Sequence, residues 1–474
     1  MRHDLCILGA GPAGLAAAVR AHDLGKRVAL VDGGRAGGTG VWDGALSSKT
    51  LWHLAGDYAR ARRCDRGYQG AASLAWSDVR AQVKAACDEA TALVDRQLAY
   101  LASHGPGRVE LIKGRARFVA PHVVETSDAR VEADRFLVCT GSRPRALPGV
   151  AVDGERVITS DHVDHLPELP AKLAIIGGGV VGCEYATIFG LFAQTEVELL
   201  DRQARILPFE DEDVSAVVAT RFAQMGVTIH RQARLESIRT VDDHAELVIR
   251  CGDATLTRKV DRVLLAVGRE PATDGLALEI PGVKTSPGGS ILAPETRTTA
   301  RHVWAAGDAT ADVMLVNMAE IEARHAVEDM FGLEPPPIHY EAQSAIFFLS
   351  PELASVGLNE QMARARGVPF RAAVISNALN RRNLAMRATD GFVKLLAHRD
   401  GRVLGLRVVG PQAGSCIQGV ALLVAGGGTL TDLDHCVHPH PAVTEGVQEA
   451  ARLLLGRSLY KPGAVGELAR IVEG

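Results

Sequence analysis

No two of the eight cysteines, at positions 6, 64, 87, 139, 183, 251, 416 and 436, stand at CxxC or metal-ligand spacing. No metal centre is therefore expected, and most of these cysteines lie in apolar segments where the residue packs as a small hydrophobe. Neither sign of charge dominates: 52 Lys and Arg against 56 Asp and Glu leave a net charge of -4. That balance gives no electrostatic footing for nucleic acid or an anionic membrane surface. No apolar run reaches the roughly 18–20 residues a spanning helix needs, so no membrane partner is expected. The apolar, small-residue N-terminus has the look of a signal peptide, but Gly9-x-Gly11-x-x-Gly14 falls inside it and reads as strand, turn and helix. Cytoplasm is the expected compartment. What remains is a chain of 474 residues, 47% hydrophobic and 23% charged, with room for about three globular domains.

Leu5-Cys6-Ile7-Leu8 is a continuous apolar strand leading into Gly9, Gly11 and Gly14, a helix from Leu15 to Leu24, and a second strand from Arg27 to Asp32. The three glycines serve a tight turn, close approach to a pyrophosphate and helix–strand packing, and Asp32 lies where a carboxylate accepts from a ribose hydroxyl. The pattern recurs: Leu173-Ala174-Ile175-Ile176 precedes Gly177-x-Gly179-x-x-Gly182, a helix, and a strand from Val197 that ends at Asp201. Two independent fingerprints imply two dinucleotides. Asp201 favours a free 2′-hydroxyl, hence NAD over NADP, although Arg202 and Arg205 stand close enough to keep NADP open, with solvated surface arginines as the plainer reading. Residues 50–104 read as a helical pair, with a helix start at Ser77-Asp78-Val79. Residues 109–138 read as short strands. Phe136 to Pro144 is a strand running into a turn at Thr140-Gly141, Val263 to Arg269 closes the second nucleotide region through Gly268, and Val303 to Asp308 is a strand entering a glycine–acid pair. Glu334-Pro335-Pro336-Pro337 is the clearest linker. Beyond it, Phe392–Leu396 and Val403–Val409 read as antiparallel strands around Asp400-Gly401, with helices near 414–426 and 444–456, an α+β pattern.

Between the fingerprints, Gly37 to Leu51 reads as a glycine turn running into a helix, which brings backbone N–H groups against a pyrophosphate or flavin. These features, with the TGSRP, AVGR and AAGD stretches and the HPHPxxTE segment at 438–445, resemble in order the class I pyridine nucleotide–disulfide oxidoreductases. The segment 182–189 is most similar to soluble pyridine nucleotide transhydrogenase, and the C-terminal histidine segment to lipoamide dehydrogenase. The resemblance implies an α/β fold: two Rossmann-like dinucleotide-binding domains and a C-terminal α+β dimerisation domain. It places an FAD domain at 1–150 and 272–334, an NAD(H) domain at 151–271 and an interface domain at 335–474. Gly9, Gly11, Gly14, Asp32, Gly38, Thr39, Thr140, Gly141 and Asp308 would hold FAD; Gly177, Gly179, Gly182, Asp201 and Gly268 would hold NAD(H). Lys49 matches a lysine beside flavin N5 and Glu184 the glutamate that pairs with it, an arrangement that stabilises charge as hydride arrives. His440 matches the family acid/base and Glu445 the carboxylate orienting its other ring nitrogen, in a homodimer whose sites are shared between subunits. His438 reads as structural.

The departure lies in Gly37–Leu51. The family pattern GGTCxNxGCxPSKxL carries two redox cysteines, and this chain has Gly40 and Ala45 at those positions. Neither forms a disulfide nor offers a thiolate, so dithiol reduction of lipoamide, glutathione or mercuric ion is not expected. Trp42 and Asp43 lie between the vacated positions: Trp42 stacks on a planar acceptor or fills space, and Asp43 is an acid/base or a helix N-terminal carboxylate. With Gly40 and Ala45 they are the candidate substrate residues. The leading expectation is an oxidoreductase passing hydride between NADH, FAD and a small organic acceptor or donor of quinone or conjugated-carbonyl type. The alternatives are a soluble transhydrogenase and a redox-silent flavoprotein that senses NADH or binds a partner.

Overall fold

The computed structural model describes residues 2–67 and 72–474, and the stretch expected to be helical at 50–104 therefore falls partly outside the described residues. Two compact units are present, one made of residues 1–54, 71–169 and 267–338, the other of 55–70, 170–266 and 339–474.

In the first unit the strands Arg108–Lys113, Arg27–Asp32, His3–Leu8 and Arg130–Val138 lie side by side in that order, joined by parallel pairings. Val303–Ala305 extends the sheet, parallel to Arg130–Val138. A run such as Leu5-Cys6-Ile7-Leu8, buried throughout, is what a parallel strand covered on both faces requires. One face carries the helices Pro12–Asp23 and Val316–Met330, which contribute Ala16, Ala17, Ala319, Ala323 and Ala326 to a single apolar core. Alanine lets the two backbones approach closely, and Pro12 at the first turn removes an N–H that would have no helical partner. The other face buries Phe118 and Phe136 beneath Leu276, Leu278 and Ile291. The helices Ala45–Ala61 and Trp76–Ser103 occupy the stretch read as a helical pair.

In the second unit the strands Thr228–His230, Glu196–Leu200, Lys172–Ile176 and Arg262–Leu265 form a second parallel arrangement, with the helix Val180–Phe192 following the second fingerprint. Three antiparallel strands, Ala233–Val241, His244–Cys251 and Ala254–Val260, interrupt the sequence before its last parallel strand. The C-terminal part is a six-stranded antiparallel sheet in the order Ser344–Phe347, Leu353–Gly357, Val403–Val409, Phe392–His398, Phe370–Ser376, Ala469–Glu473. The hairpin around Asp400-Gly401 forms its centre, and the helices Ala413–Gly426 and Glu445–Leu454 cover one face through Ile417, Val420, Val447 and Ala450. No described helix is long and apolar enough to cross a membrane.

Candidate functional site

The two fingerprints repeat one another bond for bond. Gly9 N–H donates to Val31 O and Gly177 N–H to Leu200 O, both at 2.8 Å. Ala10 N–H donates to Asp32 Oδ2 at 2.6 Å, as Gly178 N–H does to Asp201 Oδ2 at 2.5 Å. The second oxygen of each acid is taken by the backbone N–H two residues on, Gly34 and Gln203, both at 2.6 Å. Each carboxylate is thus fixed by its own turn, with lone pairs left for a sugar hydroxyl.

The glycines test whether a dinucleotide fits. A Cβ at Gly14 would lie 1.8 Å from Gly9 O, and one at Gly182 1.8 Å from Gly177 O, so helix and turn touch directly. At Gly11, Gly141, Gly179 and Gly268 a Cβ would meet nothing within 4 Å. Those four border open space, where a cofactor's backbone-facing atoms fit. Thr140 Oγ1, beside the first turn, is buried without a hydrogen-bond partner among the described residues, which suits a polar ligand atom. The residues present therefore fit the group they were read to hold.

Asp308 is anchored inside the first unit. Ser142 Oγ donates to its Oδ2 at 2.5 Å, and Arg269 donates to Ser142 through Nε to Oγ at 2.7 Å and Nη2 to the carbonyl at 2.8 Å. Gly307 N–H donates to the buried Glu322 at 2.7 Å. Nothing in the sequence singled out Ser142, Arg269 or Glu322 for these bonds, although the first two lie in the TGSRP and AVGR stretches.

The Gly37–Leu51 stretch is not a single turn. Gly37 sits at φ +97° and donates to Ala10 O at 2.8 Å, then Gly38–Val41 forms one helical turn carrying Thr39 and Gly40. At Gly40 a Cβ would lie 2.5 Å from Pro12 Cγ. Trp42 has the Arg35 guanidinium 4.5 Å from its ring centroid, so one ring face is already covered, and its Nε1 is buried without a hydrogen-bond partner among the described residues. Asp43, at φ +51°, precedes the helix that Ala45 opens. Instead of serving as that helix's N-terminal carboxylate alone, it accepts from His165 Nε2 at 3.1 Å. Asp161 and Asp164 lie nearby, both with pKa values raised first by burial and further by Asp43. Cys87 donates its thiol to Val41 O at 3.2 Å, and burial, with Asp164 and Asp43, pushes it up to about 11. This acidic neighbourhood comes from a stretch, 157–166, that carries no motif. Lys49 lies in the same unit on the helix Ala45–Ala61, its Nζ donating to Ser48 Oγ at 3.3 Å.

In the second unit Glu184 is buried on the helix Val180–Phe192 and accepts from Phe348 N–H at 3.0 Å. Arg205, which with Arg202 keeps NADP open in the sequence beside the plainer reading of surface arginines, is half-buried. Its guanidinium donates to Glu210 O at 2.8 Å and Pro208 O at 2.9 Å, which fixes it to its own loop. His440 Nδ1 pairs with Glu445 Oε1 at 2.8 Å, while Ala442 N–H donates to Glu445 Oε2 at 2.9 Å. Burial works against the charged Glu445, but the bonds from His440 and Ala442 prevail and hold its carboxyl below the usual range. His438 is half-buried, its Nε2 without a hydrogen-bond partner among the described residues, and burial first, then Arg452, lowers its pKa. All eight cysteines are free thiols; Cys64 and Cys436 are exposed and Cys251 partly so.

Residues 3–323 match the family described as pyridine nucleotide-disulphide oxidoreductase, and residues 343–451 match the dimerisation domain of that name. The chain belongs to the pyridine nucleotide-disulphide oxidoreductase family. It is 31% identical over 468 residues to a dihydrolipoyl dehydrogenase of Bacillus subtilis, covering 96% of this chain and 99% of the relative. Dihydrolipoyl dehydrogenase 3 of Haloarcula marismortui is 30% identical, covering 97% of this chain and 98% of that one. Among solved structures, LpdA of Mycobacterium tuberculosis superposes with a TM-score of 0.87 at 29% identity, over 95% of this chain and 99% of that one. The HOCl-induced flavoprotein disulfide reductase RclA of Escherichia coli gives 0.83 at 25%, over 95% and 100%. The two-Rossmann fold with a C-terminal dimerisation domain is thereby established, and proteins of the dihydrolipoyl dehydrogenase family use FAD and NAD(H). The chain is an FAD-dependent pyridine nucleotide oxidoreductase of the pyridine nucleotide-disulphide oxidoreductase family.

Proposed function

We propose that the protein transfers hydride directly between NADH, FAD and a small organic acceptor or donor, a quinone or conjugated carbonyl, without a redox disulfide. The observation that carries this reading is the turn at Gly40. It bears no sulfur, it has no room for a Cβ beside Pro12, and Ala45 fills the other position. Cys87, the thiol bonded to that turn, is buried and its pKa is near 11, so it presents no thiolate at neutral pH.

In this reading residues 1–150 and 272–334 hold FAD, 151–271 hold NAD(H), and 335–474 form the interface of a cytoplasmic homodimer with shared sites. FAD supplies hydride acceptance from the nicotinamide and its delivery onward. Asp32 and Asp201 each orient a ribose, and Ser142 keeps Asp308 aimed. Lys49 contributes positive charge, and Glu184 contributes a carboxylate held in place by Phe348 N–H. Glu445 holds His440 through Nδ1, which leaves Nε2 to give the acceptor its proton or take one from a donor. That pair is what a transhydrogenase, exchanging hydride between nicotinamides, has no use for. Trp42, Asp43, Gly40 and Ala45 border the space where the acceptor lies.

The test is an anaerobic NADH titration. The flavin is expected to bleach completely within milliseconds, without the long-wavelength band of a thiolate–flavin pair. A dithiol titration showing that band overturns the proposal, and reduction lasting minutes favours a redox-silent sensor. Turnover of NADH with thio-NADP, at rates matching those with quinones, favours the transhydrogenase.

A further inference from the structure

The C-terminal sheet holds a cluster of buried charge that none of the chemistry above uses. Lys394, in the middle of the strand Phe392–His398, is 1% exposed, and its Nζ donates to Asp213 and Glu360 at 2.6 Å and to Asp211 at 3.1 Å. Burial alone lowers an ammonium's pKa; here Asp213 and Asp211 outweigh it and hold Lys394 above its ordinary value. Arg407, 3% exposed on the neighbouring strand, donates to Glu210 Oε2 at 2.8 Å and to the carbonyls of Val356 and Gly357. Gln361 Nε2 donates to Glu210 O at 2.6 Å and Pro208 O at 3.2 Å, and Asn359 Nδ2 to Phe209 O at 2.8 Å. All these groups converge on one short segment, Pro208 to Asp213.

That segment adjoins the second fingerprint. Leu207 sits at φ +47°, a conformation non-glycine residues rarely adopt, and its N–H donates to Gly178 O at 2.7 Å. Gly178 N–H in turn fixes Asp201, the ribose acid. Ser215 Oγ donates to Ile206 O at 2.8 Å from the following helix. In the first fingerprint the corresponding bond, to Ala10 O, comes from Gly37, which accepts a positive φ without penalty. In the second it comes from a leucine, which stays there only where its surroundings over-determine it.

We propose that Arg407, Lys394 and Gln361 are positioning residues for the second dinucleotide. They clamp Pro208–Asp213 so that Leu207 stays left-handed and the Gly178–Asp201 turn keeps its ribose-binding shape. The proposal rests on Asp201 and its turn holding NAD(H). A connected chain of bonds from the interface sheet to the nucleotide turn is the physical content, and both ends lie in one compact unit.

The experiment compares the full-length FAD-loaded protein with Gln361→Ala, which removes two surface-side bonds, and Arg407→Lys, which loses the forked contacts. Expected are a rise in the NADH dissociation constant of about threefold or more in each, unchanged bound FAD, and an unchanged limiting rate of flavin reduction at saturating NADH. Amide hydrogen exchange should quicken in peptides covering 205–212 and 177–183 of the ligand-free variants. NADH binding by the parent protein tests the site assignment, and the variant-to-parent comparison tests the clamp. Unaltered NADH affinity and unaltered exchange at 177–183 in Gln361→Ala overturn the proposal, as does any loss of NADH affinity that merely tracks loss of FAD.

Discussion

A β-carbon at position 40 would lie 2.5 Å from Pro12 Cγ, so any side chain there must shift the turn or the proline ring. The double substitution Gly40→Cys/Ala45→Cys is expected to lower stability by about 1–3 kcal/mol through overpacking, read by thermal unfolding. On reduction it should still lack a thiolate–flavin band, because a Cβ at position 40 must push the turn off Pro12. His440 makes the complementary prediction. His440→Ala should slow turnover with the organic acceptor about 10²- to 10⁴-fold and leave the rate of flavin bleaching by NADH intact, which stopped-flow absorbance separates. Its partner sets an acid limit. Glu445 has a folded pKa below its unfolded one, so its pairing stabilises the fold above the ordinary glutamate range and fades as pH falls through the lowered value. The melting-temperature gap between parent and Glu445→Gln should accordingly narrow below about pH 4 and be widest near neutrality.

At the scale of elements, the duplicated strand–turn–helix allows the two nucleotides to be addressed separately. Gly182→Ala drives a methyl into Gly177 O and should yield a yellow, FAD-containing protein that NADH no longer bleaches. Gly14→Ala places the same methyl against Gly9 O and should yield protein purified largely without flavin, measured by the visible-to-ultraviolet absorbance ratio. These elements were legible in the sequence because their determinants are local: an apolar run, three glycines, an acid at the next strand end. The 400–401 hairpin and the helices at 413–426 and 445–454 were legible for the same reason. What was not legible depends on partners far along the chain. Lys394 stands in an apolar strand, and only the fold brings Asp211 and Asp213 to it across more than 180 positions. His165 meets Asp43 across 122 positions, and the one-turn helix Gly38–Val41 is held by Gly37 bonding back to the first fingerprint. The strands 233–260 pair antiparallel, and the turn residues between them, Asp242-Asp243 and Gly252-Asp253, carry no nucleotide motif to single them out.

For the whole molecule, the match of residues 343–451 to a dimerisation domain and the exposure of Leu422, Val437 and Leu459 (70%, 91% and 72%) point to a second copy covering that surface. Mixed refolding of Lys49→Ala chains with His440→Ala chains should recover activity, to about a quarter of the parental level if subunits assort at random, whereas either variant alone stays inactive. Light scattering should give twice the chain mass.

The sulfur-free turn carries a consequence for pharmacology. Trivalent arsenic blocks a dithiol by bridging its paired thiolates, and it finds no pair on this turn to bridge. In the single chain only Cys64, Cys436 and, partly, Cys251 are exposed, and none of the three lies on the Gly37–Leu51 turn. Turnover should persist after pre-incubation of the NADH-reduced protein with arsenite. An electron path of this kind would go on working during oxidant and heavy-metal stress that stops its dithiol cousins.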